Sequence, residues 1–313
     1  MAKPKILVTG GAGFVGSVLV PLLLDRGYPV RVLDSLNFNN GESLIRCFIN
    51  KNFEFVKGDI LDRKLVQKCM QGVDIVIHLA AIVGYPACKK DPRAAVEVNV
   101  EGAKIINELR GRDRLVIYSS TSSNYGHQTD SVCTEDTPLN PLSLYGETKT
   151  EAENIFKKSG NFVMFRFATG FGLSPRLRLD LMINDFVFQV LKAKQLVVYE
   201  KHYKRAFIHV TDMANSFLYA LENLPKMKDQ LFNIGSEELN LSKEEIVTAI
   251  KAKLDYLLYF TDIGKDEDQR NYALSYEKMK KAGFKTSVTL SDGLDELLKG
   301  LNGIKIENRY SNV

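Results

Sequence analysis

Cysteine is scarce in this chain. Four residues, Cys47, Cys69, Cys88 and Cys133, are scattered over 313 positions, with none at a Cys-x-x-Cys spacing. That pattern excludes a disulfide frame and a thiolate zinc site, and fits thiols kept reduced inside a cell. No His/Cys/Asp cluster has metal-ligand spacing either, so no metal is expected. No apolar run approaches the ~20 residues needed to cross a bilayer as a helix, so no membrane partner is expected. Met1-Ala2-Lys3-Pro4 leads directly toward a strand with no secretory leader between, and the expected location is cytoplasmic. Internal repeats, low-complexity tracts and a clean interdomain linker are also missing. The net charge is only +4 and the Lys and Arg residues are dispersed, which excludes the basic stripe of a nucleic-acid binder and leaves a mild preference for an anionic small molecule. What is present is ordinary: 45% apolar residues in a length that suits one large domain or two moderate ones.

The rest of the chain is organised around Ile6-Leu7-Val8-Thr9-Gly10-Gly11-Ala12-Gly13-Phe14-Val15-Gly16. A short run of β-formers stops at a glycine cluster, and apolar residues at helical spacing follow at once: Val15, Val18, Leu19, Leu22, Leu23. This predicts strand, tight turn, helix. Both Gly-x-Gly-x-x-Gly (Gly11, Gly13, Gly16) and Gly-x-x-Gly-x-x-Gly (Gly10, Gly13, Gly16) can be read. Glycines let backbone N–H groups approach a ligand, and the helix points its positive end at the same place, which suits a pyrophosphate. A second strand, Val30-Arg31-Val32-Leu33, ends at Asp34, about 20 residues on, where a dinucleotide fold places the acid that grips the adenosine ribose. Asp34 would repel a 2′-phosphate and no Lys or Arg directly follows it, so the expected cofactor is NAD rather than NADP.

Further strands are predicted at Phe53–Val56, Val73–Leu79, Leu115–Tyr118, Phe162–Arg166, Phe207–Val210 and Phe232–Gly235. Between them lie helices near 62–70, 91–109, 144–158, 181–193 and 212–222, with amphipathic stretches at 278–282 and 290–298. Alternating strands and helices mean an α/β protein with a doubly wound parallel sheet, the Rossmann architecture. The expected division is an NAD-binding domain over 1–170, to which 205–235 returns, and a smaller, partly interleaved C-terminal lobe over 171–313. Asp34, Asp59, Ala80 and Thr121 all fall at predicted strand ends, so they should line one crevice.

Tyr145 and Lys149 are four apart on a predicted helix, hence on one face. An ammonium beside a phenol stabilises phenolate. Such a tyrosine can take a proton from an alcohol, and Thr121 could hold the same alcohol oxygen. Together with NAD this makes a complete alcohol oxidation.

These residues carry a resemblance over nearly the whole chain. Thr9 to Gly16, Gly58-Asp59, His78-Leu79-Ala80-Ala81, Asn99-Val100-x-Gly102, Ser119 to Gly126, Tyr145-Gly146-Glu147-Thr148-Lys149, Arg205 to Asp212 and Asn233-Ile234-Gly235 resemble the extended short-chain dehydrogenase/reductase family, in its sugar-nucleotide epimerase/dehydratase branch. The resemblance implies tightly held NAD, a nucleoside-diphosphate sugar as substrate, oxidation at C4, and Thr121, Tyr145 and Lys149 as the catalytic set. It implies cofactor contacts at Gly10, Gly13, Phe14, Val15, Gly16, Asp34, Asp59, Ile60, Leu79, Ala80, Ala81, Asn99, Ser119, Tyr145 and Lys149. Substrate contacts are expected from Thr121, Arg205 and Arg270, with Asn184 assisting, because guanidinium forks match phosphate oxygens. The acidic loop around Arg270 (Asp266-Glu267-Asp268) offers that residue a solvated ion-pair network instead.

Family members that dehydrate look like Thr-Asp-Glu at the position of Thr121, and decarboxylating members place a Glu two residues later. Here Ser122 and Ser123 stand there, and a serine is a poor base toward carbon. That leaves net C4 oxidation or C4 epimerisation, which share their first step; a non-catalytic NAD sensor and an NADPH-dependent ketone reductase are the rival readings. The stretches Ile82 to Pro92 and Ser174 to Phe186 resemble a bacterial subgroup that modifies surface-polysaccharide sugars, GDP-heptose 4-dehydrogenases among them. Phe171 stands where relatives often have Tyr, which bears on the sugar pocket. His78 and His209 are expected in the core. By resemblance, the helices at 91–109 and 144–158 would pack across a two-fold axis as a homodimer.

Overall fold

The computed structural model describes residues 3–262, 271–305 and 310–312; Arg270 and the acidic loop before it lie outside the described residues. The strands, in chain order, are β1 (Ile6–Thr9), β2 (Val30–Asp34), β3 (Phe53–Lys57), β4 (Ile75–His78), β5 (Leu115–Thr121), β6 (His127–Cys133), β7 (Phe162–Phe167), β8 (Thr169–Phe171), β9 (Gln195–Tyr199), β10 (Lys204–His209), β11 (Gln230–Ile234), β12 (Asn240–Ser242), β13 (Leu257–Thr261) and β14 (Asn271–Leu274). Seven of them make one sheet in the order β11-β7-β5-β4-β1-β2-β3, and every pairing in it is parallel. A parallel sheet is covered on both faces, so its inner strands are apolar throughout rather than alternating. Accordingly β1, β4 and β7 are buried at every residue, while the edge strand β3 is not. One apolar cluster packs on each face of the sheet, and a third fills the C-terminal lobe.

The strand order reverses between β1 and β4, which opens a crevice at their carboxyl ends, the ligand position in such sheets. Backbones approach closely there. A Cβ on Gly10, whose φ is +71°, would lie 2.7 Å from the Ala80 nitrogen. A Cβ on Gly16 would lie 2.5 Å from the Gly11 carbonyl oxygen. Glycine at these points lets helix α1 (Gly16–Asp25) start directly over the end of β1.

Helix α2 (Arg63–Cys69) is capped by Asp62, which accepts from the backbone of Lys64 and Leu65. The single helix expected over 91–109 is broken. After α3 (Tyr85–Lys90), α4 (Pro92–Val96) runs into a π-helical turn, Glu97–Glu101, before α5 (Gly102–Arg110). π-turns are costly and tend to mark functional sites. This one carries Asn99, whose amide both donates to and accepts from the Ile82 backbone, at 3.0 and 2.8 Å, and donates to Thr148 Oγ1 at 3.1 Å. Helix α6 (Leu144–Ser159) starts at Ser143, which caps Gly146 N at 3.2 Å.

The smaller lobe contains α7 (Met182–Ala193) and the three-stranded sheet β12-β10-β8. Helix α8 (Val210–Glu222) then leads back to β11, which pairs with β7 in the large sheet; β10 stays in the small one. Two further parallel pairs, β13–β9 and β14–β6, complete the described strands.

Candidate active site

One cleft runs along the carboxyl ends of the large sheet. Its wall includes Gly10, Gly13, Phe14, Val15, Gly16, Asp34, Asp59, Ile60, Leu79, Ala80, Ala81, Ser119, Thr121, Tyr145 and Lys149. Residues from five strand ends and α6 therefore meet, although they lie over a hundred positions apart in sequence.

At one end Asp34 is fixed by two backbone N–H donors, Ala12 at 2.9 Å and Leu36 at 2.9 Å. Burial raises its pKa, and those two hydrogen bonds oppose the rise. Asn40 donates to the Ala12 carbonyl at 2.6 Å, and its own Oδ1 is buried with no hydrogen-bond partner. A buried acceptor left open beside a carboxylate on a cleft wall suits a ligand rich in hydroxyl or amino donors. The glycine turn and the start of α1 add backbone N–H groups next to them. An acid, an open amide oxygen and an anion cradle in that order fit the adenosine and diphosphate of NAD.

At the other end Tyr145 and Lys149 project from α6 beside Thr121 at the tip of β5. The Lys149 ammonium lies 4.2 Å over the Tyr118 ring. Desolvation pulls the Lys149 pKa down to about 7, against an opposing pull from Glu153 one helical turn on. Thr121 Oγ1 donates to Ser123 Oγ at 3.0 Å and accepts from Ser123 N at 3.1 Å. Ser122 faces away, sharing a 2.8 Å hydrogen bond with the Tyr272 hydroxyl. Among the described residues the only carboxylates on the cleft wall are Asp34 and Asp59, both at the ends of β2 and β3 rather than beside Thr121.

Asn99 does not reach the wall: its amide holds Ile82 and Thr148 in place, so it positions the cleft from behind. Asn184 is fully buried and is a staple, accepting from Gly172 N at 2.9 Å and donating to the carbonyls of Gly172 (3.1 Å) and Arg178 (2.9 Å). Arg205 is buried on β10, away from the wall. The guanidinium groups on the wall are instead those of Arg176 and Arg178, with Asn312 from the chain end beside them. The basic loop 174–178 is visible in the sequence, but nothing local marks which of its side chains turns inward. Phe171 is fully buried with its ring 5.2 Å from His209, so it shapes the lobe core and not the cleft. His209 caps α8 and contacts Glu296 at 2.5 Å. His78 bonds Thr9 Oγ1 at 2.7 Å and burial drives its pKa down to about 3, so it is a neutral core residue.

The profile of the NAD dependent epimerase/dehydratase family matches residues 6–235. A putative UDP-glucose 4-epimerase of Methanocaldococcus jannaschii is 29% identical over 318 residues, covering 97% of this chain and 99% of that protein. Among solved structures, a UDP-glucuronic acid 4-epimerase from Bacillus cereus in complex with UDP-glucuronic acid and NAD superposes with a TM-score of 0.83 at 27% identity, over 96% of this chain and 99% of the other. A dTDP-glucose 4,6-dehydratase from Streptomyces venezuelae, with NAD bound, does so with a TM-score of 0.83 at 26% identity, over 96% and 97%.

Proposed function

Because the chain belongs to the NAD dependent epimerase/dehydratase family and its cofactor is NAD, we propose that it oxidises C4 of a nucleoside-diphosphate sugar. One observation carries this reading: Thr121, Tyr145 and Lys149 meet on a single cleft that also holds Asp34 and the glycine turn. Bound NAD supplies a hydride acceptor. Thr121 holds the C4 oxygen through its hydroxyl. Tyr145, as phenolate, takes the C4 hydroxyl proton. Lys149 favours that phenolate by its charge. The apolar walls from Leu79 to Val83 keep water from the reacting carbon.

Elimination of water needs an extra acid and base near the sugar, and among the described residues no carboxylate lines the cleft beside Thr121. This supports net C4 oxidation or C4 epimerisation over dehydration or decarboxylation. GDP-heptose is the substrate we place first, since the two stretches that carry the bacterial polysaccharide-sugar resemblance both reach the cleft, through Ile82 to Tyr85 and through Arg176, Arg178 and Leu181. The 4-epimerase names of the relatives favour a second reading, in which the keto sugar turns over and is reduced on its other face with NAD retained. Mass spectrometry of products from a panel of GDP-, UDP- and dTDP-sugars, with and without an external keto-acid oxidant, separates the two. A 4-keto product that accumulates only with the oxidant supports the dehydrogenase. An isomer formed without it supports the epimerase, and no product from any sugar contradicts both.

A homodimer built from the outer faces of α4, α5 and α6 belongs to the same proposal; Val96 on α4 is 40% exposed. The purified protein is expected at twice 35.2 kDa in sedimentation at micromolar concentration, and a monomer there would contradict it.

A further inference from the structure

Arg176 is 3% exposed and lines the cleft. A buried guanidinium is normally matched by a carboxylate, yet among the described residues none pairs with it. The acid nearby, Asp180, is engaged by Arg178, which donates through Nε at 3.2 Å and Nη2 at 2.5 Å. Arg176 has weaker company. Nη1 donates to the Leu177 carbonyl, Nη2 donates to Asn312 Oδ1 at 2.7 Å, and the guanidinium carbon lies 4.5 Å over the Phe38 ring. Burial, and then the charge of Arg178, pull its pKa down to about 10. A charge held this way, on the wall of a cleft, calls for an anion.

The position of the loop says which anion. Ser174 Oγ donates to the Phe14 carbonyl at 2.7 Å and lies 2.9 Å from Ser17 Oγ, which also receives the Arg176 N–H at 3.4 Å. The loop is thus fastened to the first turn of α1, beside the glycine cradle, and Phe38 comes from the loop that follows Asp34. Arg178 points elsewhere: its Nη2 is 3.7 Å from where a Gly84 Cβ would stand, against the segment on the sugar side. Asn312 is itself anchored, because Leu179 N donates to the Tyr310 carbonyl at 2.7 Å and Asn312 N donates to Asp180 Oδ1 at 3.3 Å.

We infer that Arg176 is a cofactor-binding residue: its guanidinium takes a phosphate oxygen of the dinucleotide diphosphate opposite the α1 N-terminus, and Phe38 with the chain-end residue Asn312 holds it in that position. Asn312 thereby influences how firmly the dinucleotide is kept, the property that separates a retained from an exchanged cofactor. The inference rests on the NAD cleft described above and not on the identity of the sugar.

The test is direct binding to the full-length, cofactor-stripped protein, read by NADH fluorescence and by calorimetry with ADP-ribose, adenosine, GDP and UDP. For Arg176→Ala the Kd of NADH and of ADP-ribose should rise about tenfold or more, as for loss of a charge-assisted phosphate contact. Adenosine, GDP and UDP should bind as to the wild type. Asn312→Ala should move NADH and ADP-ribose in the same direction by a smaller factor, and Arg176→Lys should recover part of the loss. Unchanged NADH binding in Arg176→Ala would overturn the inference. So would a loss confined to GDP and UDP, which would assign the residue to the sugar nucleotide, or an equal loss for adenosine, which would mean a distorted cleft. If Arg176→Ala fails to fold, the Asn312 and Lys variants give the same readings. Arg176-dependent ADP-ribose binding without turnover of any nucleotide sugar would leave this inference standing and sink the proposed reaction.

Discussion

Asp34 and Lys149 each sit where burial works against their charge, and each gives a separable prediction. The Asp34 carboxylate sits on the cleft wall and accepts one backbone N–H at each oxygen. A 2′-phosphate placed there meets a like charge at short range, worth several kcal/mol where solvent is partly excluded. In Asp34→Ser, the ratio of NADPH to NADH dissociation constants should fall by about tenfold or more, by fluorescence titration; an unchanged ratio would remove Asp34 as the selectivity determinant. Burial pulls the Lys149 pKa down from 10.5 to about 7 in the folded protein. The unfolded chain therefore binds more protons across that window, and the stability withheld by burying the ammonium returns as pH rises through it. Buried thiols at Cys47, Cys88 and Cys133, pushed up to about 11, act in the opposite sense above pH 9. Between pH 7 and 9 the melting temperature of the cofactor-free protein should rise more steeply for the wild type than for Lys149→Met. Parallel curves would contradict the assignment.

Helix α6 is the element on which catalysis depends, and its inner face is fixed by one buried network. Glu153, one turn beyond Lys149, accepts from Ser120 Oγ at 2.5 Å, from Asn124 at 2.9 Å, and from Arg166 Nε and Nη2 at 3.0 and 2.8 Å. Those partners come from β5, the turn after it and β7, so a single carboxylate locks the helix to both strands. Both ionised groups are nearly inaccessible, at 4% and 2% side-chain exposure. Removing one partner leaves the other charged and buried, which costs about 3–5 kcal/mol. Glu153→Gln should therefore lose about that much in urea unfolding, with the midpoint falling at constant m value. A loss under about 1 kcal/mol, the value of an exposed pair, would show that the network does not hold α6. The π-turn at Glu97–Glu101 does a related job from behind, where Asn99 fixes Ile82 and Thr148.

At the scale of the whole molecule, the two halves of the site differ in how far sequence reasoning reached them. The cofactor half is local: a glycine turn between a strand and a helix, then an acid at the next strand end, each set by steric and dipole rules acting within a few residues. The seven-stranded sheet is readable for a similar reason, since strands buried on both faces are continuous apolar runs. The lobe beyond residue 170 is different. Its short strands pair with distant segments, β13 with β9 and β14 with β6 from before residue 170, and periodicity cannot report pairing at long range. The capping box of Ser242 and Glu245 that opens the helix Lys243–Lys251 is a local signal in the same lobe. The anion-binding side chains illustrate the limit. The sequence points to Arg205 and Arg270, with Asn184 assisting; Arg270 lies outside the described residues, the cleft wall presents Arg176 and Arg178, and the contact that fixes Arg176 comes from Asn312, 136 positions away.

The central claim is that the Tyr145 phenolate takes the proton as C4 is oxidised. It is tested most directly by mixing NAD-loaded wild-type and Tyr145→Phe protein with nucleotide sugars and following absorbance in the reduced-nicotinamide band. The account predicts a rise for the wild type with at least one sugar, and loss of at least about a hundredfold in rate for Tyr145→Phe while NADH binding is retained. A Tyr145→Phe protein that turns over at the wild-type rate would contradict it.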